Sequence, residues 1–162
     1  MAINPQVKEY LDSKRVDYEA IPHAKVFSTI EEAHILGIAG DEIAKTLVIH
    51  VTHEAGDQAL VVIPGSRKVG KEKIREVFGT KHARLALEDE MSRDFPQFEL
   101  GAVPPLGELL DLPVYIDERL LSHDTILFSG GTHMDSVKMQ VHDFFNLTES
   151  ILVDMVEERE AA

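Results

Sequence analysis

Residues 101–107 read Gly-Ala-Val-Pro-Pro-Leu-Gly, and two glycines with two prolines in seven positions exclude both a helix interior and a central strand. Proline fixes φ and removes backbone donors, while glycine lets a backbone approach another group closely. The segment therefore reads as a rigid loop wall with exposed amides, although a simple connector would have the same composition. Everything else in the chain must be arranged around this fixed loop. Upstream, Asn4-Pro5 predicts a helix start, with Val7, Tyr10 and Leu11 at helical spacing to about Lys14. Val16, Tyr18 and Ala20 then alternate as a strand up to Pro22-His23, and Thr29 with Glu32 forms a capping box opening a helix that stops at Gly37.

Residues 45–52 and 59–63 are apolar and β-branched around Glu-Ala-Gly-Asp, which predicts a hairpin. An amphipathic helix is expected over 71–78, a short strand over 82–87 and a short helix over 88–94. Strands follow at 113–117, 124–129 and 136–141, then helix from about His142. The acidic end, 157–162, is expected to fray. A strand-rich middle with irregularly interspersed helices predicts one α/β or α+β domain over 1–162 with a mixed sheet, and 162 residues at 44% hydrophobic content suffice for one core.

Cysteine is absent, which rules out disulfides, thiolate zinc sites and a cysteine nucleophile. The N-terminus has no basic stretch followed by an apolar one and no run is long enough to span a bilayer, so the expectation is a soluble cytoplasmic protein without a membrane partner. Of eight histidines, His50 and His53 would point to opposite faces of a strand, and His123-Asp124 near His133 shows no ligand spacing. No metal or other cofactor is expected.

Residues 65–71, Gly-Ser-Arg-Lys-Val-Gly-Lys, satisfy the first part of a phosphate-binding P-loop between a strand and a helix. The next position needs a hydroxyl for Mg²⁺ and holds Glu72, whose charge would repel phosphates, so the match fails. The acidic strand end at Asp117 carries little weight as its partner. Net charge is −13, yet residues 66–84 hold seven basic residues against two acids, a local +5 that leaves −18 elsewhere. That cluster, with Arg67, Lys68 and Lys71 at its head, is either a solvated helix face or a patch for an RNA backbone.

Three motifs in order carry a family resemblance: Lys45 opening an apolar strand in Ile-Ala-Lys-Thr-Leu-Val-Ile, Gly101 with Pro105 in the Gly-x-x-x-Pro pattern, and Ser129-Gly130-Gly131-Thr-His133 after a strand. With Leu-Val-Val-Ile-Pro-Gly at 60–65 and Arg-Leu-Ala-Leu at 84–87, these resemble the YbaK family of prolyl-tRNA-editing-like domains over about 16–147. The resemblance implies a curved, partly barrel-like mixed sheet flanked by helices, with the pocket lined by the lysine strand, the Gly-Pro loop and the Ser-Gly-Gly turn. It implies a deacylase for mischarged tRNA, in which Lys45 anchors the terminal nucleotide and amides at Gly101, Gly130 and Gly131 meet the oxyanion. Thr46, Pro104, Pro105, Ser129, His133 and Asp135 would line the substrate, and a partner synthetase could supply the tRNA; DNA is not expected as a partner. Ser129 lacks the Gly-x-Ser-x-Gly elbow of a hydrolase nucleophile and reads as a pocket hydroxyl. The bacterial YbaK pattern places Asp seven residues after the serine, where this chain has Ser136 preceded by Asp135. A module that binds tRNA, a synthetase or a nucleotide without catalysis would use the same pocket.

Overall fold

A computed structural model describes residues 3–26, 29–38, 40–52 and 57–158. In chain order the elements are α1 (Pro5–Ser13), β1 (Glu19–Pro22), α2 (Thr29–Leu36), β2 (Ala44–His50), β3 (Gln58–Pro64), α3 (Lys71–Phe78), β4 (Arg84–Leu85), α4 (Glu88–Asp94), α5 (Gly107–Leu110), β5 (Val114–Asp117), β6 (Thr125–Thr132), β7 (Asp135–Gln140), α6 (Val141–Thr148) and β8 (Ile151–Val153). Short 3₁₀ turns precede β2 and β6.

β3 organises the fold. It sits in a five-stranded sheet ordered β4-β2-β3-β5-β8, antiparallel to β2 and parallel to β5. Both of its faces are covered: Leu60 and Val62 enter one core with β6, β7 and α6, while Val61 and Ile63 enter a second with Ile74 of α3 and Met155. A strand covered on both faces reads as an unbroken apolar run rather than an alternation, and each of these four fully buried side chains stabilises by about 1.5–3 kcal/mol. The second sheet, β1-β7-β6, is antiparallel throughout, and a single parallel bridge from Ile43 to Leu127 joins it to the start of β2. The result is a mixed sheet system bent around a seam, without barrel closure.

α1 starts where its cap is satisfied: the Asn4 carboxamide accepts from the Gln6 N–H, with Pro5 in the first turn and Val7 and Leu11 fully buried. The strand expected from Val16 begins only at Glu19, because pairing with β7 spans Glu19–Pro22. α2 begins at Thr29 as expected, but the Thr29 side chain, and so its capping role, lies outside the described residues, as do His53 and most of the hairpin turn. β8 and α5 were not anticipated.

A buried carboxylate holds the described end of the chain in place. Asp117 is fully buried, accepting from the Arg119 N–H at 3.0 Å, the Arg119 guanidinium and the Met155 N–H at 2.7 Å. Residues 155–157 are thereby held across the loop at 65–71. The Gly70 N–H donates to Met155 O, the Glu157 N–H donates to Lys68 O, and Arg67 Nη2 donates to Glu157 O. The loop that imitates a phosphate cradle is covered by the protein's own backbone, and Asp117 is a structural hook rather than a magnesium partner. Of the end expected to fray, 157–162, residues 159–162 lie outside the described residues.

Candidate functional site

β2 pairs with β4 only at Ile49 and His50, and the Ala86 N–H closes on Val48 O, so the outer edge of β2 at residues 44–47 is left open. A cavity of about 340 Å³ occupies this gap at the seam of the two sheets. One wall is β2 itself, with Lys45 and Thr46. The opposite wall is Ser129 and Thr132 of β6, His133, and Asp135 and Ser136 of β7. Gly101 and Val103 close one side, Leu85, Ala86 and Met91 another, and His23, Val26 and Glu32 the last.

Lys45 is half-buried and has no ion pair among the described residues. Burial lowers its pKa below the ordinary lysine value, and the nearby charge of Lys68 lowers it further. A half-buried cation with no ion pair is partly stripped of its water, which is a cost to the folded chain. Asp135 faces the same space, 2% exposed, with Oδ2 accepting from Thr132 Oγ1 at 2.9 Å.

The Gly-Pro loop is pinned from β6. Ser129 Oγ donates to Ala102 O at 2.9 Å, and the His133 ring meets Leu100 O at 2.6 Å, which makes Nε2 the protonated nitrogen because a carbonyl only accepts. Gly101 adopts φ +83°, a conformation that disfavours every other residue, and its flank stands 3.5 Å from the His133 ring. The Ala102 N–H is taken by Glu99 O, whereas the Gly101 N–H has no partner among the described residues. Ser129, its proton given to a carbonyl and no base beside it, is an anchor for the loop.

Sequence reasoning placed five further residues less well. Gly130 and Gly131 do not line the cavity: a Cβ at Gly130 would meet Ile3 Cγ2 at 2.9 Å, one at Gly131 would meet Asn4 Cβ at 2.8 Å, and the Gly131 N–H donates to Ser129 Oγ. These glycines form a bulge that admits the start of α1, whose Asn4 N–H bonds Gly130 O. Pro104 and Pro105 are buried behind the loop and stiffen it without facing the cavity. His50, considered as a metal ligand, stands 3.3 Å from Glu90 Oε2; among the described residues no group of three His, Asp or Glu side chains is placed to hold a metal ion.

The chain at 84–91 is held by Glu90, which takes a bidentate pair from Arg84 at 2.8 and 3.0 Å and the Leu87 N–H at 2.8 Å. The Arg84 bond, followed by the Leu87 amide, pulls the Glu90 carboxyl down from the ordinary 4.5 to about 2. Between those values the unfolded chain binds a proton that the folded one does not. The contribution is complete above pH 4.5 and disappears as pH falls toward 2. Melting temperatures measured from pH 6 to pH 2 should therefore fall less steeply in Glu90→Gln than in the native protein; parallel slopes would show that this pair holds nothing.

With this geometry in view, a model of the aminoacyl-tRNA editing domain matches residues 23–147. The chain belongs to that family. The YwhH protein of Bacillus subtilis, itself uncharacterized, is 31% identical over 114 residues, 69% of each chain. A proline–tRNA ligase of Staphylococcus aureus is 28% identical over 137 residues, which are 81% of this chain but 22% of the ligase. Two crystal structures share the fold: hypothetical protein APE2540, at 24% identity and TM-score 0.83 over 94% of this chain and 99% of that one, and one described as "a putative trans-editing enzyme for prolyl tRNA synthetase", at 23% identity and TM-score 0.82 over 95% and 98%. In this editing domain the matched region opens at His23 and contains the whole cavity wall from β2 to β7.

Three lining residues, His23, Glu32 and Ser136, were not singled out as site residues from sequence. Glu32 had a sufficient explanation in helix capping, and the contacts that unite them cross 113 and 104 residues, which no local pattern reveals.

Proposed function

We propose that this chain is an aminoacyl-tRNA deacylase that hydrolyses the ester of a mischarged tRNA, with tRNA-Pro as the first substrate to try. The observation that carries the reading is the unpaired, half-buried Lys45 facing the Gly101 loop across an open sheet edge. The lysine suits the phosphate or ribose of a terminal nucleotide. The Gly101 amide is a loop donor for a carbonyl oxygen as it gains charge, and a fixed donor of this kind contributes about 2.7–4 kcal/mol to such transition states. Water attacks, and no side chain need form a covalent intermediate. His133 sets the Cε1–Nε2 edge of its ring beside Gly101 and so fixes the loop, and Asp135 offers a carboxylate to the α-ammonium group of the amino acid.

Deacylation of tRNA-Pro carrying alanine, serine or cysteine tests the reading directly. Hydrolysis of at least one above the spontaneous rate is expected; failure on all three, and on a wider panel of mischarged tRNAs, would leave a binding module.

The basic cluster contributes to binding through the residues with no ion pair among the described residues. Lys73 is paired with Asp154, Arg75 with Glu72 and Arg84 with Glu90, whereas Lys68 lies close enough to depress the Lys45 pKa. Replacing Arg67, Lys68 and Lys71 together with Gln should raise KM and flatten its salt dependence by about 0.7–0.9 in log–log slope per lost phosphate contact, with turnover at saturation retained. An unchanged slope would show a merely solvated face.

A further inference from the structure

Glu32, Ser136 and His23 make a continuous hydrogen-bonded chain on one side of the cavity. His23 Nδ1 lies 2.8 Å from Ala24 O, and because a carbonyl only accepts, Nδ1 carries a proton. Nε2 lies 2.8 Å from Ser136 Oγ, and the same Oγ is hydrogen-bonded to Glu32 Oε1. Two bonds therefore converge on an oxygen that brings one proton. With a neutral imidazole and an ionised carboxylate, one of the two contacts would set lone pairs against each other, between side chains only 3% and 14% exposed. The arrangement needs one more proton than that, at the imidazole or at the carboxylate. Reversal of the serine O–H moves it between the two ends without displacing a heavy atom.

We propose that His23, Ser136 and Glu32 share one proton and act as the acid–base group of the cavity, with the proton resting on His23 and Glu32 meeting the reacting atoms. This rests on the deacylase reading above. Glu32 is the more exposed end and is brought over the cavity by α2, whereas Ser136 and His23 are fixed to the β1–β7 pair. The charged groups sharing the space are Lys45 of β2, Asp135 of β7 and His133 of the adjoining turn; Glu31 and His34 flank Glu32 on α2 itself. As water adds to the ester carbonyl, its proton passes to Glu32, giving a tetrahedral intermediate. As the bond from the former carbonyl carbon to the ribose oxygen breaks, Glu32 returns that proton to the departing ribose oxygen. Ester and water become acid and alcohol, and the chain ends as it began. His23 and Ser136 are positioning residues: the imidazolium keeps Glu32 ionised and in place until it is needed.

Two measurements test this. NMR of the protein labelled with ¹⁵N-histidine, near neutral pH, is expected to show protons on both ring nitrogens of His23, with the Nε2 proton lost in Glu32→Gln and in Ser136→Ala; a bare Nε2 in the native protein overturns the shared proton whether or not any tRNA is hydrolysed. In deacylation, Glu32→Gln is expected to lower kcat about 100-fold or more with KM within threefold, the range of general acid–base catalysis, at an unchanged melting temperature. Turnover within threefold of native overturns the catalytic role. If the native protein shows both protons on His23 yet hydrolyses no mischarged tRNA, the deacylase reading and the acid–base role of the chain both fail, and the shared proton stands as a feature of the fold.

Discussion

Replacing Lys45 with Met should reduce deacylation of a mischarged tRNA by at least 100-fold while leaving the melting temperature unchanged or higher. The sign follows from its surroundings. Methionine keeps the apolar stem packed between β2 and the loop, but removes a charge that burial and Lys68 both disfavour. A residue retained for the fold would behave in the opposite way, losing stability with its charge. The decisive comparison is thermal melting beside single-turnover hydrolysis. Activity within a few-fold of native would remove Lys45 from the mechanism, and a fall of several degrees would return it to an architectural role.

Asp117→Ala should be the most damaging single change for stability, at about 3–5 kcal/mol, although it lies outside the cavity lining. Its carboxylate is fully buried and satisfies two backbone amides and the Arg119 guanidinium, and that guanidinium continues to Asp154 and through it to Lys73. Alanine would leave the Arg119 and Met155 amides without their acceptor, while the part-exposed guanidinium keeps Asp154. Urea unfolding should show a lower midpoint with an unchanged slope; a midpoint shift worth less than 1 kcal/mol would mean that residues 154–157 hold themselves in place without the hook.

Much of this architecture is legible in the residues themselves. α3 is announced by its 3.6-residue periodicity, and β3 by an apolar run too short for a helix. β8 is not, because its three residues leave Ile151 and Leu152 half-exposed at a sheet edge and follow a helix that ends on Glu149 at positive φ. In the site, Lys45 and Gly101 were placed by motif order. Gly130 and Gly131 fall outside the cavity lining for a physical reason that sequence hides: a glycine that admits a neighbouring helix and one that admits a ligand have the same sequence, since each is defined by the Cβ it lacks. His23, Glu32 and Ser136 come together only when β1 pairs with β7 and α2 crosses over them, and a tertiary meeting of that kind leaves no local trace.

The seam where the two sheets touch gives the cavity a separate inheritance for its width and its chemistry. Lys45 stands on one sheet and Asp135 on the other, while the bridge from Ile43 to Leu127 and the apolar residues behind it set how far apart they stand. Exchanging a buried aliphatic at that seam for one a methylene larger or smaller would widen or narrow the space without altering any group that faces it. Descendants of such a chain can therefore drift toward bulkier or slighter ligands through mutations at positions that never face the cavity.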